Sequence, residues 1–386
     1  MLTSIRIRNF GSCKDVHVSD IGPALLFVGP NNAGKTTIMK SICWARDVAT
    51  TGGGYQVRPF FALSAVELNF TIEGEKFRYR VAACTENPKS PMETAHYDEA
   101  LTIVDLNGEK DLYVRNGEEL ITYFDGVEQK YSIQRLAGVL AFLTSISPES
   151  APKIRKIELF FNEIRYFPLD SIADDNGNWS IVDDHELQIW KAGGVPQSKA
   201  GICMMKLVDL WLTKKSIFDE LVTLLSATHL DVINDIDIEI SESPSKRGHS
   251  DPAFEKRYYV YFETDSGYAY YEDLSFGTKR ILHTLVAMMY EPNSVMLLEQ
   301  PEDGIHPGLL TRLTGALLSY VDPMQLILTS HSPSVINGIG AGSIRIVQSV
   351  NGATRAQALT KDELARADEY VDATGQLADY IRLLED

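Results

Sequence analysis

Eight residues, Gly29-Pro30-Asn31-Asn32-Ala33-Gly34-Lys35-Thr36, carry the most specific chemistry in the chain. They follow G-x-x-x-x-G-K-[ST], a spacing that turns successive backbone N–H groups inward around a polyphosphate. Lys35 supplies a point charge to the terminal phosphates, and the Thr36 hydroxyl is a ligand for Mg²⁺. Thr37 continues into a helix whose N-terminal dipole adds to the attraction. A second constellation lies far along the chain. Val295-Met296-Leu297-Leu298 is apolar and ends in Glu299, the kind of strand-end acid that orders Mg²⁺ beside a bound nucleotide. Gln300, Pro301 and Glu302 follow, with His306-Pro307 just beyond.

The elements around these residues fit that chemistry. Ala24–Val28 is a short unbroken apolar run, as expected for a central strand of a parallel sheet. From Thr36 the pattern becomes helical, with Ile38, Ile42, Ala45 and Ala49 on one face. Residues 2–9 alternate as a strand, and further strands are predicted over 65–72 and 76–82. Residues 85–125 are polar and turn-rich, consistent with strands and loops. Residues 130–230 read as mostly helical. Strands return at 232–240 and 257–264, a helix spans about 278–290, and strands cover "SVMLL", "QLILTS" and "IRIVQSV". A helix opens at Pro307 with Leu310, Leu313 and Leu317 inward, and the end from Lys361 reads as an acidic helix. The predicted fold is therefore α/β, a nucleotide domain assembled from residues 1–95 and 231–386, interrupted by a mainly helical insertion over 96–230.

Composition narrows the function. The chain has 386 residues, is 44% hydrophobic and carries a net charge of −17. A protein that coats nucleic acid by itself is usually basic, so the charge favours a protein partner and does not indicate nucleic acid. Basic clusters occur at Arg58, at Lys153–Lys156 and at Ser245–His249, each read as solvated surface. No apolar run reaches the roughly 18 residues of a membrane span, and no signal peptide is apparent, so a cytoplasmic location is expected. Cys13, Cys43, Cys84 and Cys203 are scattered and the eight histidines lack ligand spacing. That pattern argues against a disulfide framework or a zinc site.

Four motifs in order resemble the ABC-type ATPases, within them the soluble branch of chromosome-maintenance (SMC), recombination and OLD-like defence ATPases. "IRIRNFGSCKDV" with "LLFVGPNNAGKTTIMKSI" resembles the opening strand pair and phosphate loop of that branch. "DLSFGTKRIL" resembles its signature, "LLEQPEDGIHPGLL" its acidic strand end and "LTSHSP" its switch-histidine segment. The resemblance covers about 1–60 and 270–335 and leaves the insertion without a counterpart. It implies ATP with Mg²⁺ as ligand, held by residues 29–37, Thr36 and Glu299. It implies that Ser275 and Gly277 of a second copy, with Lys279 nearby, cap the γ-phosphate in a sandwich dimer or higher homo-oligomer. His331 would sense that phosphate, and Gln56 would be a further metal ligand. Trp44 and Tyr55 are candidates for stacking on the base, with core and loop roles as the plainer alternatives.

Three positions depart from the pattern. Gly11 replaces a basic residue near the base, and Phe276 replaces a small or acidic one in the signature. Gln300 occupies the place of the catalytic glutamate. A carboxamide positions water but has no useful basicity, so ATP binding with slow hydrolysis is expected. Glu302, His306 and His331 stand off the expected position for a substitute base. Both a native glutamine and a substitution made to hold the ATP state produce this pattern. The leading expectation is a nucleotide-gated switch or scaffold for a separate effector, such as a nuclease or toxin, in bacterial anti-phage defence. The end of the chain soon after His331 leads to the expectation that no nuclease domain is attached. A DNA-repair or recombination clamp is the alternative. A transporter subunit and a nucleotide-binding protein without turnover are further readings.

Overall fold

The computed structural model describes residues 1–52, 63–85, 95–106, 108–124, 127–146, 152–168, 180–194, 201–244 and 254–385. Two compact units result. The first comprises Met1–Phe167, Asn293–Gln300 and Leu317–Asp386; the second comprises Pro168–Pro292 and Pro301–Ala316.

A six-stranded sheet organises the first unit. Its order is Ile164–Phe167, Val295–Glu299, Gln325–Thr329, Ala24–Val28, Ile344–Val350 and Ala353–Ala358. The first five strands run parallel and the last is antiparallel. Every residue of Val295–Glu299 and Gln325–Thr329 is buried, which explains why both read as continuous apolar runs. The register places Glu299 opposite Thr329, and Thr329 opposite Phe27. Helix Lys35–Thr50 follows the central strand and buries Ile38, Ile42, Ala45 and Ala49, the face expected from periodicity.

The second sheet of this unit is antiparallel. Its eight strands are ordered Cys13–Val18, Leu2–Phe10, Ala65–Ile72, Glu75–Thr85, Ala95–Asp105, Gly108–Asn116, Glu119–Phe124 and Val127–Ser132. Gln325 stitches the two sheets together. Its side chain accepts from the Leu2 N–H at 2.7 Å and donates to the Leu2 and Gly22 carbonyls at 2.8 and 2.7 Å.

The expected helical insertion over 96–230 is therefore different in its first part. Residues 95–132 continue the antiparallel sheet, and helices begin at Val139. The reason is visible in the inward positions. Tyr97, Glu99 and Leu101 point into the core on one strand, Tyr113 and Arg115 on the next. Two buried charges disguise the alternation that marks a half-buried strand. Arg115 and Glu99 meet at 2.6 Å with both side chains fully buried. Arg115 also donates to the carbonyls of Gly117, Gln134, Arg135 and Ala137, and Tyr79 donates to the second Glu99 oxygen. The pair thus pins the 133–138 connection beneath the sheet.

The second unit contains the strands Ile181–Asp183, Phe254–Thr264, Asp235–Pro244 and Gly267–Ala269. Helices Asp184–Lys191, Ile202–Thr213, Lys215–Leu225 and Phe276–Tyr290 belong with them. The signature segment lies in this second unit, with residues 180–264 and Pro301–Ala316, whereas Asn293–Gln300 and Leu317–Asp386 belong to the first. Among the described residues the phosphate-loop helix, at 16 residues, is the longest, so no long coiled coil is present in them. None of these helices is long and apolar enough to cross a membrane.

Burial pushes the Glu99 carboxyl up to about 7, against the pull of Arg115 and Tyr79. Between its ordinary value of 4.5 and about 7, the folded chain holds a proton that the unfolded chain has released. Stability from this group is present below that window and is lost as pH rises through about 7. Urea denaturation across pH 5–8 is expected to show this decline, and Glu99→Gln to flatten it. Arg115→Ala leaves a buried carboxyl and several carbonyls without their donor and is expected to cost roughly 3–5 kcal/mol.

Candidate nucleotide site

The loop after Ala24–Val28 bends where only glycine fits. Gly29 has φ +149, and a Cβ there would stand 1.9 Å from the Val347 carbonyl oxygen. Gly34, the N-cap of helix Lys35–Thr50, has φ +107, and its Cβ would meet the Thr354 hydroxyl at 2.0 Å. Asn32 also adopts a left-handed conformation, φ 64, which asparagine tolerates better than most residues. The neighbouring strand pair is thus the floor of the loop. Thr354 donates to the Ala33 carbonyl at 2.9 Å, and its hydroxyl lies 2.8 Å from that of Ser12.

Lys35 is 7% exposed, and its ammonium faces three acceptors. It donates to the carbonyls of Gly29 at 2.6 Å and Pro30 at 3.0 Å, and it meets His331 Nε2 at 2.9 Å. An ammonium only donates, so in this contact His331 Nε2 accepts. "TSHSP" holds it in place by simple means. The Ser330 N–H donates to the Phe27 carbonyl at 3.2 Å, and the Ser332 N–H donates to the Ser330 hydroxyl at 3.0 Å. Ser332 then caps the turn Pro333–Ile336. The phosphate-loop helix carries no acid in its first turn, so its N-terminal partial charge is not opposed locally.

Gln300 closes the same cleft. Its backbone has φ 41, a costly conformation for a non-glycine residue. Its N–H is held between the Thr329 carbonyl at 2.9 Å and the Thr329 hydroxyl at 3.3 Å. Gln300, Thr329, Ser12 and residues 31–37 line a cleft of about 450 Å³. Glu299, 6% exposed, ends the strand immediately before it. A hydroxyl and a carboxylate are hard oxygen donors, so Thr36 and Glu299 suit Mg²⁺.

The first unit thus brings Lys35, Thr36, Gln300 and His331 together, with Glu299 adjacent. Gln56 and Tyr55 lie outside the described residues, as do Arg58 and Ser245–His249. Trp44 is core: it is 3% exposed, with Phe10 and Tyr97 rings at 5.7 and 6.1 Å. Lys153 and Lys156 pair with Glu75 and Glu73 on the surface. Gly11 has a structural reason. It turns the first hairpin at φ +56, and a Cβ there would sit 2.9 Å from the Thr37 methyl. Burial raises the Cys13 and Cys43 thiols to about 11 and about 12, so neither behaves as a reactive thiolate near the loop.

Ser275, Gly277 and Lys279 lie in the second unit. Ser275 caps helix Phe276–Tyr290, accepting from the Thr278 N–H at 3.1 Å. Gly277 packs so closely on Gly304 that its Cβ would meet that carbonyl at 2.4 Å, and the Phe276 ring covers Gly304 from the other side. The departure at Phe276 therefore locks the signature to the Pro301–Pro307 stretch. Lys279 donates to the Glu272 carbonyl at 3.0 Å and sits over the Tyr271 ring. Ser12 and Thr354 are site residues that the motifs did not mark. Ser12 lies inside the opening strand-pair motif without being singled out there, and only the sheet order places Thr354 beside the loop.

Comparison with known proteins agrees with this geometry. Residues 1–44 match the AAA ATPase domain family. Residues 205–337 match an AAA domain family whose description names the AbiEii toxin and a Type IV TA system. An uncharacterized protein of Methanocaldococcus jannaschii is 42% identical over 52 residues, which is 14% of this chain and 16% of that protein. The aligned part is thus about a sixth of that relative's length. A solved SMC head bound to the C-winged helix domain of ScpA superposes with TM-score 0.55 at 12% identity, covering 95% of this chain and 99% of the other. The SMC head domain from Thermotoga maritima aligns with TM-score 0.44 at 13% identity, over 93% and 99% of the two chains. The fold is the α/β fold of SMC heads. Two stretches of the chain, residues 1–44 and 205–337, match AAA ATPase domain families.

Thr354→Val removes the hydroxyl that ties the loop at Ala33 and is expected to weaken ATP binding about 2- to 10-fold, the worth of one hydrogen bond. Lys35→Ala is expected to abolish it. Fluorescent-nucleotide titration separates the two.

Proposed function

We propose that this chain is an ATP–Mg²⁺-binding switch that closes as a homodimer, hydrolyses slowly, and controls a separate effector. The supporting observation is the cleft itself. Lys35 and His331 meet at 2.9 Å, while Gln300 lines the same space as Gly34–Thr37. These groups suit the grip of a terminal phosphate, and Gln300, which we assign to the position of the base, is a carboxamide. Thr36 and Glu299 would hold Mg²⁺, which supplies charge neutralisation to the phosphate oxygens. Gln56 is proposed as a third donor to that ion.

Ser275 and the helix N-terminus behind it offer donors suited to a γ-phosphate held by a second copy. Gly277 keeps that helix close to Gly304. The effector reading draws on the acidic balance of the chain and on the toxin–antitoxin description of the family matched over 205–337. A nuclease or toxin in a bacterial defence module is the proposed class of partner, with a cytoplasmic site of action. The SMC-head fold is equally compatible with a DNA clamp; salt-dependent binding of duplex DNA by the isolated chain would favour that reading.

Gln300→Glu restores a base and is expected to accelerate phosphate release by about 10²–10⁴. An unchanged rate rejects the assignment of Gln300. ATP–Mg²⁺ is expected to convert monomer to dimer in light scattering, and Ser275→Arg to block this while monomers still bind ATP. A chain that stays monomeric at saturating ATP defeats the switch as described.

A further inference from the structure

Away from the nucleotide cleft, three side chains of complementary chemistry converge on the antiparallel sheet. Cys84 on Glu75–Thr85 is the cross-strand partner of His96 on Ala95–Asp105. Asp98 follows His96 by two residues and shares its face. One ligand atom from each lies within 4.8 Å of the other two. The Cys84 thiol donates to Asp98 Oδ2 at 3.3 Å, and His96 Nε2 stands 3.9 Å from Asp98 Oδ1. The Gly117 N–H donates to Oδ1 at 3.2 Å, which fixes the carboxylate and turns Oδ2 toward the sulfur. The His96 and Asp98 side chains are 23% and 42% exposed, so the group is reachable from solvent.

We propose that Cys84, His96 and Asp98 bind one zinc-class divalent cation, with water as the fourth ligand. Tetrahedral coordination with bonds of about 2.0–2.3 Å sets ligand atoms about 3.3–3.6 Å apart. With one ligand atom from each residue already within 4.8 Å of the other two, rotation of these side chains brings the set to that spacing. Sulfur, imidazole nitrogen and carboxylate oxygen together suit zinc and not Mg²⁺, which demands oxygen donors. The site is thus chemically separate from the nucleotide metal. On binding, the Cys84 S–H bond breaks, its proton leaves to water, and the sulfur–metal bond forms in place of the hydrogen bond to Asp98. The Gly117 N–H keeps its hold on Oδ1 and so orients a ligand from behind. Cys13, Cys43 and Cys203 are buried, which leaves Cys84 as the accessible thiol among the described residues.

The test uses the full chain, reduced and stripped with a chelator, then titrated with Co²⁺ and afterwards with Zn²⁺. One equivalent of Co²⁺ per chain is expected, with near-ultraviolet thiolate-to-metal absorption that Zn²⁺ abolishes. Bound Zn²⁺ is expected to protect Cys84 from alkylation. Cys84→Ser and His96→Ala are each expected to weaken binding by more than about 100-fold, the upper figure for partners that merely orient ligands. Exposed His229, replaced by Ala, serves as control and leaves binding intact. Asp98→Asn provides a second reading should His96→Ala fail to fold. Absence of saturable binding at micromolar metal, absorption without thiolate character, or binding untouched by Cys84→Ser overturns the site.

Discussion

The structure turns on how closely its neighbours approach the backbone at two glycines. At Gly29 the wall is the Val347 carbonyl, and at Gly34 it is the Thr354 side chain. Those contacts exist because Ile344–Val350 runs parallel beside Ala24–Val28, with Ala353–Ala358 outside it. Only then does the chain curl tightly enough to return the Lys35 ammonium to its own loop carbonyls. Residues far apart in sequence therefore hold the phosphate loop in shape. The same sheet order sets Gln325–Thr329 on the opposite side of the central strand and delivers His331 to Lys35.

That arrangement separates gripping from cleaving. Gripping needs fixed donors and positive charge, and these come from loop backbone, a helix start and one buried lysine. Cleaving needs in addition a group that takes a proton from water. Gln300 is held firmly by Thr329 in a costly backbone conformation, which marks the position as built for a purpose. A neutral amide there retains positioning and removes basicity. On the proposed reading an intact nucleotide would stay bound for long, which serves a switch better than a motor.

Much of this fold is legible in the sequence. Ala24–Val28 and Ala65–Ile72 ran as the sequence implied, because burial on both faces or strict alternation leaves an unmistakable pattern. The phosphate loop, Glu299 and His331 were recognisable because each follows such a strand. Residues 85–125 read as strands and loops, but their place in the first sheet was hidden and 96–230 was assigned to a helical insertion, since Glu99 and Arg115 occupy inward positions where apolar residues are expected. Their mutual neutralisation depends on strand pairing, which no local window contains. Thr354 and Ser12 escaped for a related reason: they touch the loop only through sheet order. Cys84 and His96 face each other across a hairpin, so their separation along the chain matches no ligand spacing.

Net charge bears on partners differently from how it bears on the nucleotide. A surplus of −17 looks hostile to a polyanion. Screening limits exposed charges to about 8 Å at physiological salt, whereas the Lys35 ammonium and the helix start act at contact distance inside a cleft. A DNA duplex is another matter, because its phosphates span a long stretch of surface and each must find a cation. The paired Lys153 and Lys156 are already neutralised by Glu75 and Glu73. A local cationic cleft in a chain of acidic balance thus suits a small polyanion better than a long nucleic acid.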